Sequence, residues 1–280
     1  MAGEGKFRAY FNALDAAHGV ASGPRERVRL DKTYCILMTP RSGSTWLARR
    51  IAGVDVLSCP GEHFNAELFG ATLKHNAGRD IYEVFDAIAA KNRTRQGLFG
   101  FEISYFDLEE LEFEARLLDL MVGEKFFFYL SRRNFVAQAI SLHTAVESKI
   151  FHSFQPEDEP RKRSDVPYDD DKIMFWVSHI LQQEFGIHQW MTANNIEPMR
   201  LHYEELCADI DAVIRKMAAH LGVDLQGIPA RPTAQTQRIT ADSAPDYERR
   251  FRSSHEEFCR KWQAARGTEP CPFTGVAPTL

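Results

Sequence analysis

The fold is decided by residues 34–47, which read YCILMTPRSGSTWL. The first five of these residues form a continuous apolar run, which is typical of a β-strand buried on both faces. Pro40 has no N–H group and therefore ends the pairing of that strand. A helix is then expected to begin near Ser44. The stretch thus predicts a buried strand, a tight turn and a helix.

The predicted turn has the chemistry of an anion-binding site. The first N–H groups of a helix have no intrahelical partners and lie at the positive end of the helix dipole. Gly43 lets the backbone approach an anion closely. Hydroxyl groups are supplied by Ser42, Ser44 and Thr45. Arg41 adds a planar guanidinium group that suits phosphate or sulfate oxygens.

Two other enzyme classes have related patterns. A P-loop that binds nucleoside triphosphates needs G-x-x-x-x-G-K-[ST], and this chain lacks both the first glycine and the lysine. Cys35 and Arg41 match the C-x₅-R-[ST] spacing of cysteine phosphatases. However, residues 36–38 continue the predicted strand, which would bury the Cys35 thiol. A phosphatase remains an alternative hypothesis, and a non-catalytic nucleotide-binding protein is another.

Length and composition indicate a globular protein. The chain has 280 residues, of which 44% are hydrophobic, and this is enough to build a sizeable core. The formal net charge is −5, so no overall basic field favours nucleic acid as a partner. The five cysteines contain no C-x-x-C pair and are odd in number, which favours reduced thiols. The sequence has neither a leader-like segment nor a run long enough to span a membrane, and we expect a cytoplasmic location.

Apolar runs alternate with helical patterns, which predicts an α/β fold with a central parallel sheet flanked by helices. Strands are predicted at residues 34–38, 54–58, 97–103, 126–130 and 199–203. Helices are predicted at residues 44–52, 67–75, 80–91, 108–122, 135–141, 173–194, 209–221 and 245–266. The aromatic residues of the helix at 173–194, including Phe175 and Trp176, are predicted to belong to the core.

Further candidate site residues follow the predicted strands. Glu62 lies after the second strand and a Pro-Gly turn, at the sheet edge where open α/β sheets bind ligands. A carboxylate in that position can accept a proton from a sugar hydroxyl. Arg132 and Arg133 follow the fourth predicted strand, and Ser141 lies roughly two helical turns later. These three residues predict a second anion site.

The predicted organisation has three parts. Residues 1–31 are a helical extension, residues 32–266 the α/β domain, and residues 267–280 a tail. Within the domain, residues 152–172 lack periodicity and contain several prolines, which predicts a polar lid or insertion loop. The aspartates at 169–171 are not expected to bind a metal, since consecutive carboxylates rarely converge on one ion.

Several short motifs together resemble those of a known family. They are TPRSGST at 39–45, PGEHF at 60–64, GLFG at 97–100, RRNFVAQAIS at 132–141 and YEEL at 203–206. In this order they are similar to the trehalose 2-sulfotransferase-like family of bacterial carbohydrate sulfotransferases. The resemblance covers about residues 33–255. It implies a P-loop-kinase-like fold and 3′-phosphoadenosine-5′-phosphosulfate as the sulfate donor.

The resemblance also implies roles for individual residues. Glu62 would be the general base, and Arg41 would stabilise the leaving phosphate. The sulfate-bearing end of the donor would be held by Arg41, Ser42, Gly43, Ser44 and Thr45, with Trp46 beside them. The 3′-phosphate would bind Ser141 together with Arg132 or Arg133, and the spacing in the family favours Arg132.

The remaining implications concern the other partners. Gln237 and Arg238, in the loop at 226–242, would also contact the donor. The acceptor would be a carbohydrate or a glycolipid, and a homodimer is implied by analogy. No metal ion is expected, because arginine and backbone donors already hold the leaving group. Glu102 stands at a position that is usually basic in the family.

Overall fold

A four-stranded parallel sheet lies at the centre of the computed structural model, which describes residues 5–18, 27–76, 78–151, 165–225 and 244–266. The strands are β1 Lys32–Met38, β2 Leu98–Ser104, β3 Glu124–Ser131 and β4 Met199–His202. Their spatial order is β2-β1-β3-β4, and every neighbouring pair is parallel. The predicted α/β fold with a central parallel sheet is therefore confirmed.

Helices flank this sheet on both faces. They are α1 Lys6–His18, α2 Ser44–Ala52, α3 Phe69–His75, α4 Ile81–Asn92, α5 Tyr105–Glu114, α6 Leu117–Leu120, α7 Phe135–Ser148, α8 Asp170–Ala193, α9 Tyr203–His220, α10 Ala244–Ser254 and α11 Glu256–Arg266. Several of these helices are preceded by a residue whose side chain accepts a hydrogen bond from a backbone N–H group of the first turn, and this fixes the start of the helix. These capping residues are Asp80, Ser104, Asn134 and Asp169.

The two faces of the sheet pack against different helices, because side chains alternate along a strand. Cys35 and Leu37 of β1 belong to an apolar cluster with residues of α1, α4 and α5. Tyr34 and Ile36 face the opposite way and pack with residues of α2 and α9. A further apolar cluster joins α7, α8, α10 and α11 around the fully buried Phe251.

Helix α8 extends well past the carboxyl ends of the strands. Gly186 of α8 lies against the ring of Tyr105, the residue that follows the end of β2. Farther along α8, Trp190 packs on Phe127 in the middle of β3, with ring centroids 5.9 Å apart. The part of α8 before Gly186 therefore lies beyond the strand ends, and at 1.5 Å per residue it is about 24 Å long. It forms a wall above the carboxyl edge of the sheet.

The predicted strand at 54–58 is wrong. After α2 the chain makes two successive turns, in which the Val54 N–H donates to Ile51 O and the Leu57 N–H donates to Val54 O. Val54 and Leu57 are nevertheless buried against the sheet. A buried turn and a short buried strand have the same apolar character, so the run alone did not distinguish them.

Two predicted helices are in fact pairs of helices. The pattern at 108–122 corresponds to α5 and α6, which are separated because Ala115 has an extended backbone (φ −158°, ψ 147°). The pattern at 245–266 corresponds to α10 and α11, with His255 between them. The helix predicted at 209–221 starts where expected, because Asp209 has a non-helical backbone and its Oδ1 accepts a hydrogen bond from the Ala212 N–H at 2.9 Å. A short helical segment from Tyr203 precedes it across this kink and is counted in α9.

Parts of other predictions lie outside the described residues or need correction. Of the lid predicted at 152–172, residues 152–164 are not described, and the last three residues form the first turn of α8. The prediction that Phe175 belongs to the core is wrong, since it is 58% exposed. Trp176 beside it is partly buried.

Within the described part of the chain, no helix is both long and apolar enough to cross a membrane.

Candidate active site

The turn between β1 and α2 is the centre of the candidate site. Arg41 and Gly43 both have left-handed backbone conformations, with φ of 63° and 94°. The Ser42 N–H donates to Thr39 O at 3.2 Å and closes the turn. A Cβ atom on Gly43 would lie 2.8 Å from the ring of Tyr203, so glycine is required both by the backbone conformation and by the available space.

Helix α2 presents its first N–H groups to this turn. Its N-cap is Gly43, which makes no side-chain cap, and its first turn carries no acidic residue. The N–H groups of Ser44, Thr45 and Trp46 therefore have no intrahelical acceptor and lie at the positive end of the helix dipole. The hydroxyl of Ser42 is buried and makes no hydrogen bond to the residues that the structure describes. A phosphate or sulfate group at this turn would satisfy these donors.

Arg41 connects the turn to α7. Its Nε donates to Ser141 Oγ at 3.2 Å, and its Nη1 donates to the backbone oxygen of Phe151 at 2.7 Å. The two anion-binding elements predicted from separate stretches of sequence therefore lie side by side. Their adjacency suits a ligand that carries two phosphate groups.

Gln138 of α7 supports the same turn and was not predicted as a site residue. Its Nε2 donates to Thr39 Oγ1 at 2.9 Å and to Pro40 O at 2.7 Å. Gln138 and Thr39 are both fully buried, where such hydrogen bonds are strong. An amide among the apolar residues of a buried helix was the available signal. Gln138 thereby fixes the backbone that precedes Arg41.

Arg132 and Arg133 have different surroundings. The guanidinium of Arg132 lies 4.4 Å from the centroid of the Tyr203 ring, which also packs against Gly43. Arg133 is exposed, and its Nη2 donates to Glu205 Oε1 at 3.0 Å in an ion pair. Arg132 is thus connected to the phosphate-binding turn through Tyr203, whereas Arg133 is engaged at the surface.

The backbone of Arg132 is positioned by the end of α11. The guanidinium of Arg266 donates to Arg132 O and forms an ion pair with Glu184 of α8 at 2.8 Å. Both side chains of this pair are almost completely buried. Burial raises the pKa of Glu184, and the charge of Arg266 opposes this effect. Helices α8 and α11 therefore hold the segment that follows β3.

Glu62 lies at the edge of β2, although no strand precedes it. The Glu102 N–H of β2 donates to Gly61 O at 3.0 Å and fixes the segment along the strand. Glu62 is reached by solvent, yet desolvation of its carboxyl group raises its pKa. The charge of Asp107 adds to this rise, and a hydrogen bond with Asn65 opposes it. A raised pKa makes a carboxylate a stronger base.

Glu102 is a second carboxyl group beside Glu62, and it is only 2% exposed. It is in register with Ile36 of β1 and so lies on the face of the sheet that packs against α2. Its Oε1 makes no hydrogen bond to any described residue. Burial, followed by the charge of Glu62, raises the pKa of Glu102 well above its usual value. Of the two carboxyl groups, the buried Glu102 is therefore the one whose surroundings favour the neutral form.

The position of Cys35 argues against the phosphatase hypothesis. Cys35 is fully buried in the middle of β1, in register with Phe101 and Phe127 of the neighbouring strands. Burial, with the nearby Glu102 carboxyl, raises the pKa of this thiol well above its usual value. A nucleophilic cysteine needs the opposite, namely access to the substrate and a lowered pKa.

Two remaining predictions concern the donor loop and metal ions. Gln237 and Arg238 lie outside the described residues. Across the described ranges, no group of three or more His, Cys, Asp and Glu side chains is arranged to hold a metal ion.

Comparisons with known proteins agree with this chemistry. The family model described as Stf0 sulphotransferase matches residues 33–254. The chain is 21% identical over 239 residues to a trehalose 2-sulfotransferase of Mycobacterium tuberculosis (strain ATCC 35801 / TMC 107 / Erdman), covering 72% of this chain and 88% of that protein. It is 22% identical over 241 residues to a trehalose 2-sulfotransferase of Mycolicibacterium smegmatis (strain ATCC 700084 / mc(2)155), covering 73% and 89%. A solved sulfotransferase domain from the Synechococcus PCC 7002 olefin synthase aligns with a TM-score of 0.39 and 15% identity, over 81% of this chain and 96% of that chain.

Proposed function

The chain belongs to the Stf0 sulphotransferase family, and from this we propose that it transfers a sulfuryl group from 3′-phosphoadenosine-5′-phosphosulfate to a hydroxyl group of a carbohydrate or glycolipid. The observation that carries the proposal is the hydrogen bond between Arg41 and Ser141. It brings the turn after β1 and the anion-binding residues around α7 into one site. A donor with phosphate groups at its 5′ and 3′ positions requires two such neighbouring sites.

Different residues of the site are proposed to bind the two ends of the donor. We assign the 5′-phosphosulfate to the turn, where Arg41, the Ser42 hydroxyl and the N–H groups of Ser44 to Trp46 converge. We assign the 3′-phosphate to Ser141 and Arg132, because Arg133 is already paired with Glu205. Gln237 and Arg238 would complete the donor site. When bound, the donor supplies the sulfuryl group and a phosphate leaving group.

The protein contributes mainly positioning and charge neutralisation. In sulfuryl transfer, as in phosphoryl transfer, charge spreads over three equatorial oxygens while the attacking and leaving oxygens stand in line. Arg41 is held by Ser141 and Phe151, so its charge is fixed beside the turn before the donor binds. Glu62 would accept the proton of the acceptor hydroxyl on its carboxylate, a step worth about 10²- to 10⁴-fold in rate.

The neighbouring carboxyl groups suit Glu62 to this role. Burial raises the pKa of Glu102 well above its usual value, which favours its neutral form and disfavours a second negative charge beside Glu62. The pKa of Glu62 itself is raised by desolvation and by Asp107, which makes its carboxylate a stronger base. Both curated relatives are named trehalose 2-sulfotransferases, so trehalose is the first acceptor to test.

The test is incubation of the purified protein with ³⁵S-labelled donor and a panel of free sugars and glycolipids, beginning with trehalose. We expect the label to appear on a carbohydrate in the wild-type reaction. The variant Glu62→Gln should bind adenosine 3′,5′-bisphosphate as the wild type does and lose about 10²-fold or more in turnover. The control Glu67→Gln makes the same chemical change on the same exposed segment and should remain active. A fully active Glu62→Gln variant would remove Glu62 from the base role.

A further inference from the structure

An aromatic cluster lies above the carboxyl edge of the sheet and has no part in the donor site. It consists of Tyr105, Phe106, Phe175, Trp176 and His179. Ring centroids are 5.1 Å apart for Phe106 and His179, 4.9 Å for Phe175 and Trp176, and 5.3 Å for Trp176 and His179. These rings form one continuous surface shared by the starts of α5 and α8.

The cluster is not simply part of the helical core. The core-facing side of α8 carries Ile173 and Val177, which are fully buried against α7, α10 and α11. Trp176 lies at the edge of that core and packs against it, whereas Phe175 is 58% exposed and stacks on the half-buried His179 ring, with centroids 6.2 Å apart. The exposed Phe175 ring and the partly exposed rings of Phe106, Trp176 and His179 keep apolar surface in contact with water. This costs hydration free energy, so such a surface usually marks a site where something binds.

The cluster adjoins Glu62. Phe106 is followed by Asp107, whose Oδ1 accepts a hydrogen bond from the Ala66 N–H at 2.8 Å. Gly61 O, next to Glu62, accepts the Glu102 N–H at 3.0 Å, so the segment that carries Glu62 runs along the end of β2, which leads directly into α5. The cluster also lies on the part of α8 that extends beyond the strand ends. An acceptor held there would lie between the wall formed by α8 and the proposed base.

We propose that the aromatic cluster binds a pyranose ring of the acceptor and so directs one of its hydroxyl groups towards Glu62. This inference rests on the proposed function and specifies the class of acceptor. The face of an aromatic ring is electron-rich, and the C–H hydrogens on the flat face of a pyranose are slightly positive, so the two attract each other. Groups at the rim can bind sugar hydroxyls, namely the His179 ring and the Tyr105 hydroxyl, which lies 3.3 Å from Glu109 Oε1.

The variants Phe175→Ala and Trp176→Ala test this site, with Phe113→Ala as the matched control. Phe113 is also on α5, is 71% exposed and lies outside the cluster. Saturation-transfer NMR with trehalose, maltose and glucose, in the presence of adenosine 3′,5′-bisphosphate, measures sugar binding without turnover. We expect wild-type protein and Phe113→Ala to bind at least one sugar, and each cluster variant to bind it roughly 5- to 10-fold more weakly. Affinity for the nucleotide should be unchanged in all of them.

The outcomes separate this inference from the proposed function. If Phe175→Ala binds sugar as tightly as Phe113→Ala does, the cluster is not the acceptor site. If wild-type protein binds none of the three sugars, or if the cluster variants change only self-association or detergent binding, the inference is overturned. If the cluster variants lose sugar binding but wild-type protein transfers no sulfate, the acceptor site stands and the proposed function fails. Because Phe175 is exposed, its variant is expected to fold even if Trp176→Ala does not.

Discussion

Arg41 Nε lies 3.2 Å from Ser141 Oγ, although 100 positions separate the two residues in the chain. A second hydrogen bond from the same guanidinium, to Phe151 O at 2.7 Å, fixes its orientation. The charge beside the phosphate-binding turn is therefore positioned by α7 and the segment that follows it. Positioned charge is what transfer of a highly charged group requires, because no reorganisation is then needed during the reaction.

Arg41→Lys tests whether orientation matters in addition to charge. Lysine keeps the positive charge but lacks the planar fork that reaches Ser141 and Phe151 in two directions. We expect kcat for sulfate transfer to fall by about 10²-fold, the usual result of removing one oriented donor. Ser141→Ala removes only one of the two hydrogen bonds that orient the guanidinium, so it should lower kcat less than Arg41→Lys does and should also raise the KM for the donor. A lysine variant with normal kcat would show that charge alone is sufficient.

Single variants of Arg132 and Arg133 identify the residue that binds the 3′-phosphate. Arg132 is connected to the turn through Tyr203, whereas Arg133 is paired with Glu205. We expect Arg132→Ala to weaken binding of adenosine 3′,5′-bisphosphate by about 10-fold or more, because a hydrogen bond to a charged group contributes about 1.5–3 kcal/mol. Binding of adenosine 5′-phosphate should change little. Calorimetric titration with both nucleotides measures the difference.

The reverse pattern would contradict this assignment. If Arg133→Ala selectively weakened binding of the bisphosphate, the ion pair with Glu205 would have to open when the donor binds. Equal loss for both nucleotides in Arg132→Ala would mean that this residue supports the turn and does not contact the 3′-phosphate.

The turn could be predicted from sequence because its chemistry is local. The apolar run of β1, Pro40 and the glycine between hydroxyl residues each constrain the backbone within a few positions. The failed strand at 54–58 shows the limit of such reasoning. Its apolar residues are buried, as predicted, but by turns after α2, and nothing within five residues distinguishes the two arrangements.

The contacts that shape the site could not be predicted because they join distant segments. Gln138 holds Thr39 and Pro40 across a separation of about a hundred residues, and Tyr203 packs against Gly43 from the start of α9. The sequence marks such residues only as a polar group in an apolar helix or as an aromatic residue after a short strand. Their partners depend on the strand order β2-β1-β3-β4, which places β3 beside β1 and β4 beyond it.

Gly43→Ala is expected to disable the turn. The backbone φ of 94° costs a residue with a Cβ about 1–2 kcal/mol, and the new atom would also lie 2.8 Å from the Tyr203 ring. We expect lower stability together with a loss of nucleotide binding. Gly222→Ala is the matched control, since its φ of 64° imposes similar backbone strain at the end of α9, away from the turn. Urea unfolding should show lower stability in both variants. Calorimetric titration should show weakened nucleotide binding only in Gly43→Ala. If Gly43→Ala bound the nucleotide as the wild type does, the assignment of the turn as the anion site would be contradicted.

Glu102→Gln is expected to make the protein less sensitive to alkaline pH. The pKa of Glu102 is raised by burial well above the value of 4.5 for an exposed carboxyl, so the folded protein keeps a proton that the unfolded chain releases. The wild type therefore loses free energy of unfolding as pH rises from 4.5 to the folded-state pKa, whereas the neutral amide does not titrate. The variant should match the wild type below pH 4.5 and exceed it above, by at most about 1.4 kcal/mol for each pH unit. Urea unfolding across this range, with the exposed Glu197→Gln as the control, measures the difference. A difference that does not grow with pH would mean that folding does not raise the pKa of Glu102.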